Sequence, residues 1–192
     1  LQIMNSDTHS VLVVTKDPKI SALASAMLIS PIFDTTVTQN FQEARRICSE
    51  RVYNIVLVDF SDGEGSDFAA DISDSTSTVL LLCPNHLYEQ VSYKVEPYGV
   101  LTVATPFDQF YFYSMIKAAI AVQYKVQILS SQTIKLKEKM EEIRLINRAK
   151  LLLMEYEKMS EMEAHHAIEK RAMDTGAKKT KIAEELIKKY SN

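Results

Sequence analysis

Glycine, proline and cysteine are all scarce in this chain of 192 residues, with 4, 5 and 2 copies respectively. The few glycines and prolines argue against a fibrous or disordered chain, because such chains are rich in these residues. Cys48 and Cys83 are too few for a disulfide framework, so we expect two reduced, partly buried thiols. Hydrophobic residues make up 46% of the sequence, which is enough for a substantial core.

Long apolar runs are missing as well. No run reaches the length that spans a membrane, and the N-terminus lacks the basic and then apolar pattern of a secretion signal. We therefore expect a soluble, cytoplasmic protein with no membrane partner.

The patterns of catalytic and metal-binding sites are also lacking. The sequence has no Ser-His-Asp set, and His165 and His166 would point in different directions on a helix, with no third metal ligand evident. The glycines at Gly63 and Gly65 are not followed by a lysine, so we expect a plain turn with no helix opening after it. These absences predict a protein that is not an enzyme and that holds no metal or cofactor.

Charge divides the chain into two parts. Residues 1–122 carry 7 Lys and Arg against 14 Asp and Glu, a net charge of −7. Residues 123–192 carry 15 against 11, a net charge of +4. This division suggests two modules, of which only the second suits a polyanionic partner.

Short apolar runs alternate with helical patterns in the first part. Strands are predicted at 11–14, 35–38, 54–59, 79–83 and 100–103, and helices at 18–28 and 41–51. Segment 61–78 is rich in Ser and Asp, so we expect a loop and an irregular connection there. Near-continuous apolar strands alternating with helices predict a parallel sheet covered on both faces.

This order resembles the receiver domain of response regulators, over residues 9–123. The resemblance implies a flavodoxin-like α/β fold with a five-stranded parallel sheet. In that family the acid at the Asp59 position accepts a phosphoryl group. An acid pair after the first strand holds Mg²⁺, a Thr or Ser ends the fourth strand, and a Lys precedes a Pro after the fifth.

The chain departs from the receiver pattern at these positions. Thr15 and Lys16 stand at the acid pair, Cys83 at the hydroxyl and Thr105 at the lysine. Lys16 would repel Mg²⁺, and we expect its ammonium group to pair with Asp59 in the metal's place. We interpret the domain as a pseudo-receiver, in which Asp59 is a vestigial phosphoacceptor position and a regulatory protein partner exerts control. The alternative is that phosphorylation still controls the protein.

A long helix is predicted after the receiver-like part, because residues 110–157 contain no Pro or Gly. Its apolar or semi-apolar positions recur at spacings of four and three. They are Val122, Val126, Leu129, Thr133, Leu136, Met140, Ile143 and Asn147. This seam predicts a parallel coiled-coil homodimer over residues 124–147, although the helix could instead pack against the chain's own domains. Lys139 would face Arg144 across such a dimer, so we expect limited intrinsic strength.

Three short helices are predicted at the C-terminus. The long helix continues over 146–159, and Ser160 with Glu163 forms a capping box for a second helix that ends near Asp174 and stops at Gly176. A third helix runs over about 180–190. The candidate core residues are Leu152, Leu153, Ile168, Met173, Ile182, Ala183, Leu186 and Ile187.

The same region resembles the ANTAR module, a three-helix RNA-binding unit of bacterial transcription antiterminators. The matching positions, without a gap over 146–187, are Ala149-Lys150, Leu153-Met154, Ser160, Glu163-Ala164, Ile168, Ala172-Met173-Asp174, Lys181 and Ile182-Ala183-Glu184. Lys158 departs from the pattern, because the family usually has Gly there. The resemblance implies an RNA-binding module at 148–190 that binds paired stem-loops in nascent leader RNA, one per protomer, and prevents a terminator hairpin from forming.

Basic and small residues are the candidates for RNA contact. The basic set comprises Arg148, Lys150, Lys170, Arg171, Lys178, Lys179 and Lys181. Ala164 and Ala172 would let a helix backbone approach a base, unless these alanines are packing residues. The sequence thus predicts an RNA-binding antitermination regulator. The alternatives are a phosphorylation-controlled or DNA-binding regulator, a phosphotransfer component and a coiled-coil scaffold.

Overall fold

A computed structural model describes residues 8–190 of the chain. The chain divides between Ser130 and Ser131 into two compact units, and one helix continues through this point. We call them the N-terminal unit and the C-terminal unit.

The N-terminal unit is built on a five-stranded parallel sheet, as predicted. Its strands are β1 (His9–Val14), β2 (Phe33–Thr38), β3 (Ile55–Asp59), β4 (Thr78–Pro84) and β5 (Leu101–Thr105), in the order β2-β1-β3-β4-β5. Its helices are α1 (Pro18–Met27), α2 (Phe41–Glu50), α3 (Glu64–Asp71), α4 (Tyr88–Val95) and the first part of α5 (Gln109–Tyr156). The carboxyl ends of all five strands therefore lie at one edge of the sheet.

Two apolar layers cover the sheet, because successive side chains of a strand point to opposite faces. In β1, Val11 and Val13 belong to the layer that also contains residues of α1 and α5. Leu12 and Val14 belong to the layer that contains residues of α2, α3 and α4. Burial on both sides explains why the strands read as continuous apolar runs.

A helix, α3, begins between the two glycines of segment 61–78, where the sequence predicted a plain turn with no helix. Asp62 and Gly63 adopt left-handed backbone angles, with φ of 57° and 101°, and helix α3 begins at the next residue, Glu64. A Cβ on Gly65 would lie 1.9 Å from the carbonyl oxygen of Asp59. Only glycine therefore permits this close approach of α3 to the end of β3, and the buried Phe68 holds the helix on the sheet.

The C-terminal unit contains the end of α5, α6 (Glu161–Thr175) and α7 (Lys179–Tyr190). The predicted capping box of Ser160 and Glu163 is present at the start of α6. Gly176 ends that helix in the left-handed conformation with a φ of 63°, also as predicted. The buried core of the unit consists of Ala149, Leu153, Ala164, Ile168, Ala172, Ile182, Ala183 and Leu186.

Met173 was a predicted core residue, and this prediction is wrong. Its side chain is 82% exposed, whereas the neighbouring Ala172 is buried. Adjacent helical residues point about 100° apart, so only one of the two can face α5 and α7. The inward position belongs to Ala172, which shares that face with Ala164 and Ile168.

Helix α5 ends at Tyr156, three residues before the predicted end at Met159. Lys158 has a φ of 56°, in the left-handed region that non-glycine residues adopt at a cost. This turn gives a physical reason for the glycine that the ANTAR pattern has at the Lys158 position. None of the helices within residues 8–190, α5 included, has the length and apolar content that a membrane crossing requires.

We predict that Lys158→Gly stabilises the C-terminal unit by about 1 kcal/mol, because glycine adopts the left-handed conformation without the steric cost of a Cβ. Urea denaturation followed by circular dichroism measures the change. Lys158→Ala is the matched control, since it removes the charge but keeps the Cβ. Equal stability of the two variants would contradict this account of the turn.

Candidate functional sites

Asp59 lies at the carboxyl end of β3, at the edge where parallel α/β sheets place their sites. Its Oδ2 accepts a hydrogen bond from Ser61 Oγ at 3.2 Å and a long one from Thr15 Oγ1 at 3.5 Å. Burial raises the pKa of the Asp59 carboxyl above its ordinary value. The hydrogen bond from Ser61 opposes this rise in pKa, and the negative charge of Asp17 adds to it. Asp59 is thus a half-buried carboxyl group held by neutral hydroxyls.

Lys16 does not pair with Asp59, contrary to the expectation from the sequence. Its ammonium group lies 3.2 Å from Glu64 Oε2, at the start of α3, and over the ring of Phe41. The turn that opens α3 brings Glu64 within reach, and both side chains of the pair are about half exposed. Lys16 therefore lies half exposed beside Glu64, where its ammonium group keeps much of its contact with water.

The remaining receiver positions do not fit a Mg²⁺ site. Asp17 is the N-cap of α1, where its Oδ1 accepts a hydrogen bond from the Lys19 amide at 2.8 Å. Cys83 is fully buried at the end of β4, and burial raises the pKa of its thiol. Thr105 ends β5 with a hydroxyl, where the family has an ammonium group. Among residues 8–190 no group of three His, Cys, Asp or Glu side chains is placed to hold a metal ion.

The predicted dimer seam lies on the exposed surface of a single chain. Val126 is partly buried, and the other members are exposed, including Leu136 at 66%. These others are Val122, Leu129, Thr133, Met140, Ile143 and Asn147. N-terminal to the seam, Met115 and Ala119 continue the same heptad positions inside the core of the N-terminal unit. One stripe of α5 thus changes from buried core to open surface near Val122.

Two ion pairs within α5 involve the basic residues that flank this seam. Lys139 Nζ lies 3.4 Å from Glu142 Oε2, and Arg144 Nη1 lies 2.6 Å from Glu141 Oε1. Each of the two cations expected to repel across a dimer therefore has an acidic neighbour on its own helix. Exposed pairs of this kind contribute little stability, but they lower the local positive charge.

The basic residues predicted to contact RNA fall into two groups. The first group is exposed on the three helices and on the turn before α7, and consists of Arg148, Lys170, Arg171, Lys178 and Lys181. The second group consists of Lys150 and Lys179, whose ammonium groups are held by acids of α6. Lys150 donates to Glu161 Oε1 at 2.7 Å with only 15% of its side chain exposed, and Lys179 pairs with Glu169.

These ion pairs also lower the pKa values of the acids that take part in them. The hydrogen bond from Lys150 lowers the pKa of Glu161, and the hydrogen bond from Lys179 lowers the pKa of Glu169. Glu169 also lies 3.2 Å from His165 Nε2 and 3.7 Å from His166 Nδ1. Lys150 therefore joins α5 to α6 in the free protein, and Lys179 joins α7 to α6.

Ala164 and Ala172, which were predicted to contact RNA, are buried in the free protein. They are 0% and 8% exposed and lie in the core of the C-terminal unit, with Leu153 and Ile168. Their small side chains let α6 pack closely against α5 and α7, which is the alternative that the sequence left open.

Two tyrosines at the ends of helices were missed by the sequence reasoning. The rings of Tyr156, at the end of α5, and Tyr190, at the end of α7, stack with centroids 5.1 Å apart. Neither residue belongs to a motif, and their wide separation in sequence leaves no periodic signal.

Comparison with known proteins identifies a domain in the C-terminal part of the chain. Residues 135–187 match the model of the ANTAR domain, which places the match on α5, α6 and α7. A nitrate regulatory protein from Klebsiella oxytoca is 41% identical over 64 residues. This alignment covers 33% of the present chain and 16% of that protein, so the chain spans only a small part of its relative's length.

Solved structures resemble the chain in fold. NtrX from Brucella abortus superposes with a TM-score of 0.57 at 15% identity, over 65% of this chain and 29% of that one. A response regulator from Thermotoga maritima superposes with a TM-score of 0.51 at 22% identity, over 59% of this chain and 98% of that one. The five-stranded parallel sheet of the N-terminal unit is thus a receiver-like fold. The chain thus contains an ANTAR domain at residues 135–187, which follows a domain with a receiver-like fold.

Proposed function

We propose that this chain is an RNA-binding transcription antitermination regulator, which binds stem-loops in nascent leader RNA and prevents a terminator hairpin from forming. The observation that carries the proposal is the match of residues 135–187 to the ANTAR domain. The role is regulatory and requires the chain to hold an RNA structure, not to catalyse a reaction.

The surface chemistry of the C-terminal unit supports an RNA ligand. Arg148, Lys170, Arg171, Lys178 and Lys181 are exposed and available to phosphate oxygens. The buried alanines Ala164 and Ala172 are left out of this proposal, because packing accounts for them. Base recognition in RNA mostly uses unpaired loop nucleotides, so a stem-loop offers both phosphates and readable bases.

We predict that Arg171→Glu weakens RNA binding about tenfold and lowers its salt dependence, because the change replaces a phosphate-binding charge by a repelling one. The probe is a hairpin RNA selected in vitro on the full chain from a pool with randomised loops, and gel shift measures the affinity. Arg46→Glu in α2 is the matched control, since it makes the same charge change in the N-terminal unit.

Two outcomes would contradict the RNA assignment, and a third would exclude α6 from the RNA interface. RNA binding itself would be contradicted if selection yields no hairpin that binds more tightly than the starting pool. Equal binding of duplex DNA with the stem sequence would favour a DNA-binding regulator. Unchanged affinity of Arg171→Glu would remove α6 from the interface.

The proposed working form is a homodimer joined along residues 124–147. All ten residues from Ser131 to Met140 are exposed in the single chain. A helical segment that receives no packing is only marginally stable in water, and a second copy would cover its apolar seam. Such a dimer presents two ANTAR domains, which suits RNA that carries two stem-loops.

We predict that Leu136→Asp raises the dissociation constant of the dimer about 10- to 100-fold, because each copy loses one buried leucine and gains a charge at the seam. Sedimentation equilibrium of the full chain measures the change, with and without the selected RNA. Ser131→Asp places the same charge on the opposite face of α5 and should leave the dimer unchanged. A wild-type chain that stays monomeric at high concentration, with and without RNA, would rule out the proposed dimer.

Control by a protein partner is proposed in place of control by phosphate. Lys16 and Thr105 replace the groups that hold Mg²⁺ and pair with a phosphoryl group, and Asp59 is held by hydroxyls at raised pKa. The receiver-like domain also exposes aromatic side chains at Tyr93, Phe110 and Tyr113, a residue class enriched in protein interfaces.

We predict that acetyl phosphate with Mg²⁺ leaves Asp59 unlabelled, because Thr15 and Lys16 stand where an acid pair would hold the metal, and Thr105 stands where a lysine would pair with the phosphoryl group. Intact-mass spectrometry gives the readout, and Asp59→Asn defines the background. A receiver domain that keeps the acid pair and the lysine shows, in the same tube, that the reagent is active. Labelling of the wild-type chain above the Asp59→Asn background would restore the phosphorylation-controlled alternative.

A further inference from the structure

Tyr156 and Tyr190 form an aromatic stack on the surface of the C-terminal unit, which we call the tyrosine stack. The two rings are inclined by only 15°, so they lie nearly parallel. Tyr190 is partly buried, whereas Tyr156 is 56% exposed. A large aromatic side chain with this exposure is available to a planar ligand.

The geometry of the tyrosine stack is fixed by polar contacts on its inner member. The Tyr190 hydroxyl donates to the Glu157 carboxylate and accepts a hydrogen bond from Lys189 Nζ at 2.7 Å. Lys189 Nζ also lies 4.5 Å from the centroid of the Tyr190 ring. Tyr190 is thus held at its edge and on its ring, and Tyr156 stacks on a ring that these contacts orient.

The tyrosine stack has cations close to Glu157, a carboxylate that contacts it. The hydrogen bond from Tyr190 is the main cause of the lowered pKa of Glu157, and the positive charges of Lys189 and Arg171 contribute. Lys158 is exposed two residues beyond Tyr156. A nucleotide whose base reached the stack would therefore have cations near its phosphate.

We propose that Tyr156 stacks against an unpaired base in the loop of the bound RNA, and that Tyr190 supports it from behind. Unpaired bases commonly stack on exposed aromatic rings, and a pre-ordered ring loses little freedom on binding. The proposal rests on the proposed RNA-binding function and adds a named contact for the base. Duplex nucleic acid offers no such base, so this contact favours a loop over a plain stem.

Three substitutions separate stacking from packing. Tyr156→Ala should weaken binding of the selected hairpin RNA about tenfold, whereas Tyr156→Phe should bind within about twofold of the wild type. Tyr156→Leu keeps an apolar contact with Tyr190 but has no aromatic face, so it should unfold at the wild-type temperature and still lose affinity. Tyr98→Ala, which removes a tyrosine of the N-terminal unit with the same 56% exposure as Tyr156, should leave RNA affinity unchanged.

Hairpins in which each loop nucleotide is replaced in turn by an abasic one identify the stacked base. One abasic position should weaken wild-type binding about tenfold and cause no further loss in Tyr156→Ala, because both changes remove the same contact. Independent losses at every position, or wild-type affinity for Tyr156→Ala, would overturn the stacking proposal. Both results require that the wild-type chain binds the hairpin, so they differ from a failure of RNA binding as such.

Discussion

The structure depends on one unbroken helix that supplies core residues to two units. In its first turns, α5 places Phe112, Ile116 and Ala119 in the core of the receiver-like domain. In its last turns it places Ala149 and Leu153 in the core of the ANTAR domain. Neither core is complete without its part of α5, and three short helices alone would be marginally stable. The exposed seam between these parts therefore lies on a helix whose two ends are both fixed by packing.

Electrostatics distinguishes the two domains. In the receiver-like domain, Lys16 is drawn to Glu64, and Asp59 is left half-buried with hydroxyl partners and a raised pKa. That arrangement lacks the concentrated negative charge that attracts a divalent cation. In the ANTAR domain, acids of α6 hold Lys150 and Lys179 in ion pairs, and the remaining basic residues face solvent. The N-terminal unit thus keeps a receiver-like fold, while the charges that we propose for RNA binding lie in the C-terminal unit.

Secondary structure could be predicted from the sequence wherever a local pattern is compatible with only one type of element. Apolar runs gave the five strands, and the capping box at Ser160 gave the start of α6. The sequence did not show which of two adjacent apolar residues is buried. Ala172 and Met173 are both suitable for a core, and the rotation of α6 about its axis decides between them. The partner of Lys16 depended on the turn before α3, and the stacking of Tyr156 on Tyr190 depended on where two distant helix ends meet. Contacts between distant segments carry no signal in one sequence.

The central claim is that this chain acts on structured RNA as a transcription regulator. The most direct test is to sequence the RNA that crosslinks to the full chain in its native cell. If this proposal is correct, the crosslinked RNA is enriched in leader transcripts in which paired stem-loops precede a terminator, with crosslinks concentrated in the loops. Enrichment of genomic DNA, or an RNA profile that matches total cellular RNA, would contradict it.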